Sequence, residues 1–228
     1  MTIGKSFVAP ALPDPPGLYE VRQQNELNRA LRLYFNRLDS YIANTILDAL
    51  NGGVGGNGIT FPHIAASDAG PQYAGGDDTP TLVTWDTLTS GYLWTLNSPG
   101  SATAAVAGVY TIRYSLQFAN TANAIHDAVV WLKINGADAA DSATYFTVPA
   151  RKSSGAPSYT CGYSEATFSI NVGDEVELYW ATDQAYNTTG PVDGIYIFSD
   201  TAQTSPFARP AVPSAIGSIS YVSALPPA

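Results

Sequence analysis

The sequence predicts a mainly β protein: an N-terminal extended arm and a single α-helix, followed by a C-terminal β-sandwich of the jelly-roll kind. Three observations predict it. Tyr110, Ile112, Tyr114, Leu116 and Phe118 are apolar while Thr111, Arg113, Ser115 and Gln117 between them are polar. Successive side chains of a strand face opposite ways, so this is a half-buried strand with an aromatic inner face. About ten short segments of this kind follow residue 58 at turn-punctuated spacing, with no helical period between them. Finally, the 228 residues include 20 Gly, 16 Pro and 14 Tyr, and only 13% are charged, a composition that suits strands and loops better than a helical enzyme.

Taken in order, residues 1–18 form a Pro-rich arm. Pro10, Pro13, Pro15 and Pro16 fix φ and remove backbone donors, which favours an extended, polyproline-like segment. Phe7, Val8 and Leu12 place apolar side chains on that extended backbone, the makings of an arm that docks into another protein's groove. Residues 19–50 read as one helix. Leu27, Leu31, Tyr34, Phe35, Leu38, Tyr41, Ile42 and Ile46 recur at three- and four-residue spacing, with Arg22, Arg29, Arg32, Arg37 and Asp39 between them. Asn51-Gly52-Gly53 supplies a stop. Two readings stand: a helix folded back on its own domain, or an oligomerisation stalk using Leu27, Leu31, Tyr34, Phe35, Leu38, Tyr41 and Ile42. The Gly-rich linker at 51–58 favours the stalk, because it argues against tight back-folding. That linker lacks the Lys-Ser/Thr of a phosphate-binding loop and follows a helix instead of a strand.

The domain at 59–228 has candidate strands at 61–65, 81–87, 91–96, 108–119, 128–134, 142–148, 159–170, 175–181, 194–198 and 214–222. The segments at 108–119 and 128–134 are expected to form a central antiparallel hairpin. Asn135-Gly136 then closes a tight reversal, since Gly tolerates positive φ. Asn171 to Asp174 reads as a further turn.

Charge and composition exclude several classes. The net charge is -9, from 19 acidic and 10 basic side chains, so the chain lacks the cations that displace counterions from nucleic acid. Residues 1–50 hold five basic and five acidic side chains, which leaves the whole excess beyond residue 50. No apolar run approaches the length of a membrane-spanning helix, and no membrane insertion is expected. The N-terminus lacks the long apolar core of a signal peptide. Cys161 is the single cysteine and has no internal partner, which together suggest a soluble protein made in a reducing compartment.

Catalytic chemistry is poorly represented. His63 and His126 are the only histidines, and neither has Cys or Glu at ligand spacing. Cys161 has no evident base beside it and is expected as a buried, inert thiol within a strand. Asp77-Asp78, and Asp174 with Glu175 and Glu177, offer hard oxygens for Ca²⁺, but no complete ligand loop is visible, and solvated turn acids are the simpler reading. Trp85, Tyr92, Trp94 and Tyr186 are candidates for stacking on a sugar, although such rings are more often core or trimer contacts in a domain of this kind. The expectation is a protein that is not an enzyme and has no cofactor and no metal.

The order of motifs resembles the jelly roll of the tumour necrosis factor and complement globular-head superfamily. The resemblance is carried by Gly108-x-Tyr110-x-Ile112, Trp131-Leu132-x-x-Asn135-Gly136, Ser142-Ala143-Thr144, and Val172-Gly173-Asp174-x-Val176-x-Leu178-x-Trp180. The stretch WLKINGADAADSAT looks like the variant found in fibre and other virion proteins of tailed bacteriophages. The Pro-rich arm, Tyr19 and the run from Leu27 to Phe35 are similar to the start of small virion proteins, those of cyanophages especially. The resemblance implies a homotrimer with aromatic strand faces around the three-fold axis, located in the virion. It would be a capsid or tail fibre or decoration protein, held to other virion proteins by its arm. A receptor-binding module for a host-surface glycan is the alternative.

Overall fold

In the computed structural model, the described residues are 27, 29, 31–38, 61–189 and 193–226. The chain divides into two units, Met1–Thr60 and Phe61–Ala228. In the first, Leu27, Arg29 and residues 31–38 are helical.

The second unit runs β1 (His63–Asp68), β2 (Thr81–Leu82), β3 (Thr87–Tyr92), β4 (Trp94–Asn97), β5 (Ser101–Ala104), β6 (Gly108–Asn120) and β7 (His126–Ile134). It continues with β8 (Ala137–Asp138), β9 (Thr144–Val148), β10 (Ser158–Ile170), β11 (Glu175–Thr182), β12 (Ile195–Ile197) and β13 (Ala215–Ser223). Two sheets result. The first has the order β10-β6-β13-β1-β3, with β12 also on β6; the second has β4-β5-β11-β7-β8, with β2 on β11 and β9 on β7. The antiparallel pairs are nested in sequence: β1 with β13, β5 with β11, β6 with β10, and β7 with β9. A nested ribbon wrapped into two facing sheets is a jelly roll, so the expected fold class is present.

The alternation seen in the sequence sets the faces of β6 correctly. Tyr110, Leu116 and Phe118 are fully buried, and Ile112 and Tyr114 nearly so, while Arg113 is exposed. The expected partner was wrong. β6 and β7 lie in different sheets instead of forming a hairpin. Both edges of β6 are already occupied, by β10 on one side and by β13 and β12 on the other. The connection from 120 to 126 therefore crosses from one sheet to the other. Buried Asn120 pins this crossing: its amide donates to the carbonyls of Ala124 (2.9 Å), Val148 (3.3 Å) and Pro149 (3.0 Å), and its Oδ1 accepts from the Ala122 amide at 2.8 Å.

Other differences have local causes. The segment expected at 91–96 is split at Leu93, whose φ of 57° turns the chain from β3 in the first sheet to β4 in the second. The segment expected at 81–87 pairs on β11 only over Thr81–Leu82. β5 was missed because Ser101-Ala102-Thr103-Ala104 carries no large apolar residue. The Asn135-Gly136 turn is where expected, with φ of 53° and 77° joining Ile134 to Ala137.

Between the sheets, Phe118 of β6 packs against Trp180 of β11 at 6.0 Å and Phe146 of β9 at 5.8 Å. Tyr110 meets Trp94 edge to face at 5.1 Å. Aromatic pairs of this geometry add to the area term of burial. Replacing Asn120 with Ala removes four hydrogen bonds at a buried crossing. The expected outcome is a loss of about 3 kcal/mol, since the buried Val148 carbonyl and Ala122 amide lose their bonds to this side chain. Urea denaturation followed by circular dichroism checks it, as a lowered midpoint with an unchanged slope.

Candidate functional site

Of the helix residues read as oligomer contacts, Leu27, Leu31, Tyr34 and Leu38 are half-buried and Phe35 is exposed. Tyr34 and Phe35 meet edge to face at 5.5 Å. Tyr41 and Ile42 lie outside the described residues, as do the arm positions Phe7, Val8, Pro10, Leu12, Pro13, Pro15 and Pro16.

Most of the polar candidates are occupied by structural bonds, while the Asp78 and Glu177 carboxylates make no hydrogen bond among the described residues. Asp77 Oδ1 accepts from the Ala185 amide at 2.7 Å. Asp174 accepts from Asn135 Nδ2 at 2.8 Å and from the Asn171 amide at 2.7 Å, which closes the turn before β11. Glu175 accepts from the Ser101 hydroxyl. His126 faces Asp183 at 3.1 Å. His63 Nε2 lies 2.9 Å from Ser90 Oγ across β1 and β3, while its Nδ1 faces the Phe61 carbonyl at 2.9 Å, so no carboxylate orients this pair. Among the described residues, no group of three or more His, Cys, Asp or Glu is placed to hold a metal ion.

Cys161 departs from expectation. It is exposed, on the outward side of β10 beside Ser115 Oγ at 3.2 Å. The reason lies in the pattern of β10, whose first half turns its large side chains outward. Tyr159, Cys161, Tyr163 and Glu165 are exposed, whereas Ser158 and Gly162 are buried. Phe118 and Phe146 fill the space beneath it: a Cβ on Gly162 would lie 2.7 Å from the Phe118 ring and 3.2 Å from that of Phe146. Small residues must face in, and the rings face out.

The other aromatic candidates separate by environment. Trp94 is 7% exposed. Trp85 covers Gly217, where a Cβ would meet the indole at 2.8 Å. Both belong to the core. Tyr92 is exposed, and Tyr186 joins a surface cluster that sequence reading missed.

That cluster is a chain of rings. Tyr159 packs on Phe198 at 4.8 Å, Phe198 on Tyr196 at 6.3 Å, and Tyr196 on Tyr186 at 5.2 Å and Tyr73 at 5.6 Å; Tyr73 and Tyr186 stack at 5.8 Å. Lys152 Nζ lies 5.5 Å from the Tyr159 ring centre. Tyr159 and Tyr196 flank Ala119 in the two strands beside β6, and Ala119 is fully buried although it points outward. Tyr73 retains 40% of its surface, Tyr159 49% and Tyr163 55%. Backbone pairing sets these positions. Gln72 and Ile197 exchange two hydrogen bonds at 2.9 Å, which brings Tyr73 to Tyr196. Tyr186 N donates to the Ile195 carbonyl at 3.1 Å. Gly194 permits this approach, because a Cβ there would lie 2.6 Å from the Gln184 carbonyl oxygen. Spacing could have suggested Tyr159 and Tyr163, both on one face of β10. Tyr73, Tyr186 and Tyr196 come from separate segments, and no pattern in the chain joins them.

Two features adjoin this chain of rings. Below Tyr159 the outward face of the first sheet continues with Tyr163, Thr111, Ser115, Gln117, Ile216 and Ser218. The charges on its strands are Arg113 and Glu165, paired with each other at 2.8 Å. The guanidinium, with the Tyr163 hydroxyl donating at 3.2 Å, holds the Glu165 carboxyl below its usual range. At the other end lies an open cleft of about 580 Å³ beside Tyr73 and Tyr186.

No family model matches this chain, and no curated protein matches it. Among solved structures it is similar to the Eiger TNF of S. frugiperda, at 14% identity and a TM-score of 0.43, over 73% of this chain and 98% of that one. It is also similar to the globular domain of the zebrafish complement 1qA protein, at 13% identity and a TM-score of 0.42, over 73% of this chain and 100% of that one. The jelly-roll assignment rests on the nested strand pairing.

Within the ring chain, burial foremost and then the neighbouring Tyr159, Tyr73 and Tyr186 push the Tyr196 phenol from 10.0 up to about 12. The unfolded phenol ionises first, near pH 10. The stabilisation tied to a neutral Tyr196 is therefore complete below that pH and is lost as pH rises toward 12. Burial also raises Tyr110 and Tyr114. The expected outcome is a fall in unfolding free energy between pH 10 and about 12 that Tyr196→Phe reduces but does not abolish. Urea denaturation across that range, beside an ultraviolet phenol titration, checks it.

Proposed function

We propose that this chain is a structural display protein and not an enzyme: a homotrimer whose copies join through the outward face of the first sheet. The observation that carries the reading is that face itself. It exposes Tyr159 and Tyr163, its strand charges are the mutually paired Arg113 and Glu165, and Lys152 lies against Tyr159, on a chain of net charge -9. Like copies repel through unpaired charge, so an aromatic face free of the acidic excess is where identical acidic chains can approach. The half-buried stripe of Leu27, Leu31, Tyr34 and Leu38 supports a second line of contact through the helix.

The virion setting rests on the sequence resemblance alone. In this reading, residues 1–18 anchor the trimer to another virion protein, in the capsid or the tail, and the acidic jelly roll faces outward. A second reading, recognition of a host-surface glycan, is favoured by one specific observation, the open cleft beside Tyr73 and Tyr186.

Native mass spectrometry at micromolar concentration is expected to give three times the 24.0 kDa chain mass. Tyr159→Ser combined with Tyr163→Ser is expected to shift the protein to monomer with its β-type circular dichroism kept. Deleting residues 1–18 is expected to leave the trimer and abolish its incorporation into particles. A wild-type mass near 24.0 kDa contradicts the proposal.

A further inference from the structure

We propose that the cleft beside Tyr73 and Tyr186 binds a single neutral pyranose unit of a glycan, with the tyrosine rings as its stacking platform and the surrounding amides and hydroxyls as its polar contacts. This rests on the glycan-recognition reading and gives it a site and a ligand class.

Four observations lead to it. First, size: about 580 Å³ falls within the range of small-molecule sites. Second, chemistry: Tyr73 and Tyr186 stand together with Asp77, Gln184, Asn187 and Thr189 around the opening. A pyranose has an apolar C–H face and a rim of hydroxyls that both donate and accept. A ring beside carboxylate, amide and hydroxyl groups matches both parts, whereas a purely apolar ligand would strand the polar groups without partners. The Gln184 side chain makes no hydrogen bond within the described residues, and Asn187 Oδ1 accepts from the Thr189 amide at 2.9 Å and its hydroxyl at 2.8 Å, which leaves the Asn187 amide group to donate.

Third, charge: among the described residues, those around the cleft include Asp77 and no Lys or Arg. Sugars bearing a carboxylate, such as sialic or uronic acids, would meet a like charge on an already acidic protein. Neutral sugars carry no such penalty. Fourth, pre-organisation: the Asp77 to Ala185 bond at 2.7 Å, the Asp78 amide to Thr182 carbonyl bond at 2.8 Å and the paired Gln72 and Ile197 backbones hold both walls. These bonds lower the ordering entropy lost at Tyr73, Asp77 and Ala185 on binding. The stacked Tyr196 behind Tyr73 and Tyr186 fixes their rings further.

Saturation-transfer NMR on the full chain tests this, with the methyl glycosides of glucose, galactose, mannose and N-acetylglucosamine as neutral probes and N-acetylneuraminic and glucuronic acids as anionic ones. Transfer is expected to the ring C–H protons of at least one neutral glycoside and to be weaker for both acids. Tyr186→Ala is expected to weaken binding about tenfold. Gln184→Ala, which removes a side chain that makes no hydrogen bond within the described residues, is expected to weaken it severalfold, and Tyr145→Ser, at an exposed position on β9 of the second sheet, to leave it unchanged. Absence of transfer to every glycoside and to both acids overturns both this site and the glycan reading. Neutral-sugar binding that persists undiminished in Tyr186→Ala and Gln184→Ala overturns the site while the glycan reading survives. Stronger transfer to the acids overturns the assignment of ligand class.

Discussion

Strand β6 is bonded along both edges while one face is packed in the core, and much of the molecule follows from that constraint. Its inner face carries Tyr110, Ile112, Tyr114, Leu116 and Phe118, which need a second sheet to cover them. Its backbone is taken by β10 on one edge and by β13 and β12 on the other. A strand with both edges filled cannot pair with the strand that follows it. The chain must leave the sheet after Asn120, and that buried amide replaces the hydrogen bonds a ladder would have supplied at the crossing.

The same packing decides what the outside looks like. Phe118 fills the space under β10, so Gly162 is required there, and the bulk of β10 is turned outward. The result is a sheet face with aromatic side chains and a self-neutralised ion pair, on a chain whose acidic excess lies elsewhere. From Tyr159 the rings run through Phe198 and Tyr196 to Tyr73 and Tyr186, which links the face proposed for self-association to the cleft proposed for a sugar. Both proposals thus draw on one aromatic surface. The aromatic face that the family resemblance placed around a three-fold axis is not the one available, because the inner rings of β6 are consumed by the sandwich core.

Faces were legible in the sequence because the side-chain period of a strand is two, and β6 kept it from Gly108 to Phe118. Partners were not, because pairing across sequence separations such as Thr111 with Ser220 leaves no local mark. β5 escaped notice for a related reason: its alanines are buried by position in the sheet and not by their own size. Asn135-Gly136 was readable since positive φ at two consecutive positions restricts the residues that fit. Of the aromatic candidates, only Tyr186 belongs to the cluster, because its partners Tyr73 and Tyr196 reach it through the exchanged bonds of Gln72 and Ile197. Cys161 was misplaced because a strand residue was assumed to point inward, while the neighbours of Gly162 dictate the reverse.

Cys161 offers the most direct test of the central claim, that copies of this chain cover the outward face of the first sheet. The thiol sits on that face between Tyr159 and Tyr163 and is exposed in the single chain. Its reaction with an aromatic disulfide reagent, followed across a dilution series, reports coverage without any mutation. The account predicts slow labelling at micromolar concentration that accelerates as dilution separates the copies. Fast labelling, independent of concentration while the native mass remains that of a trimer, would contradict it.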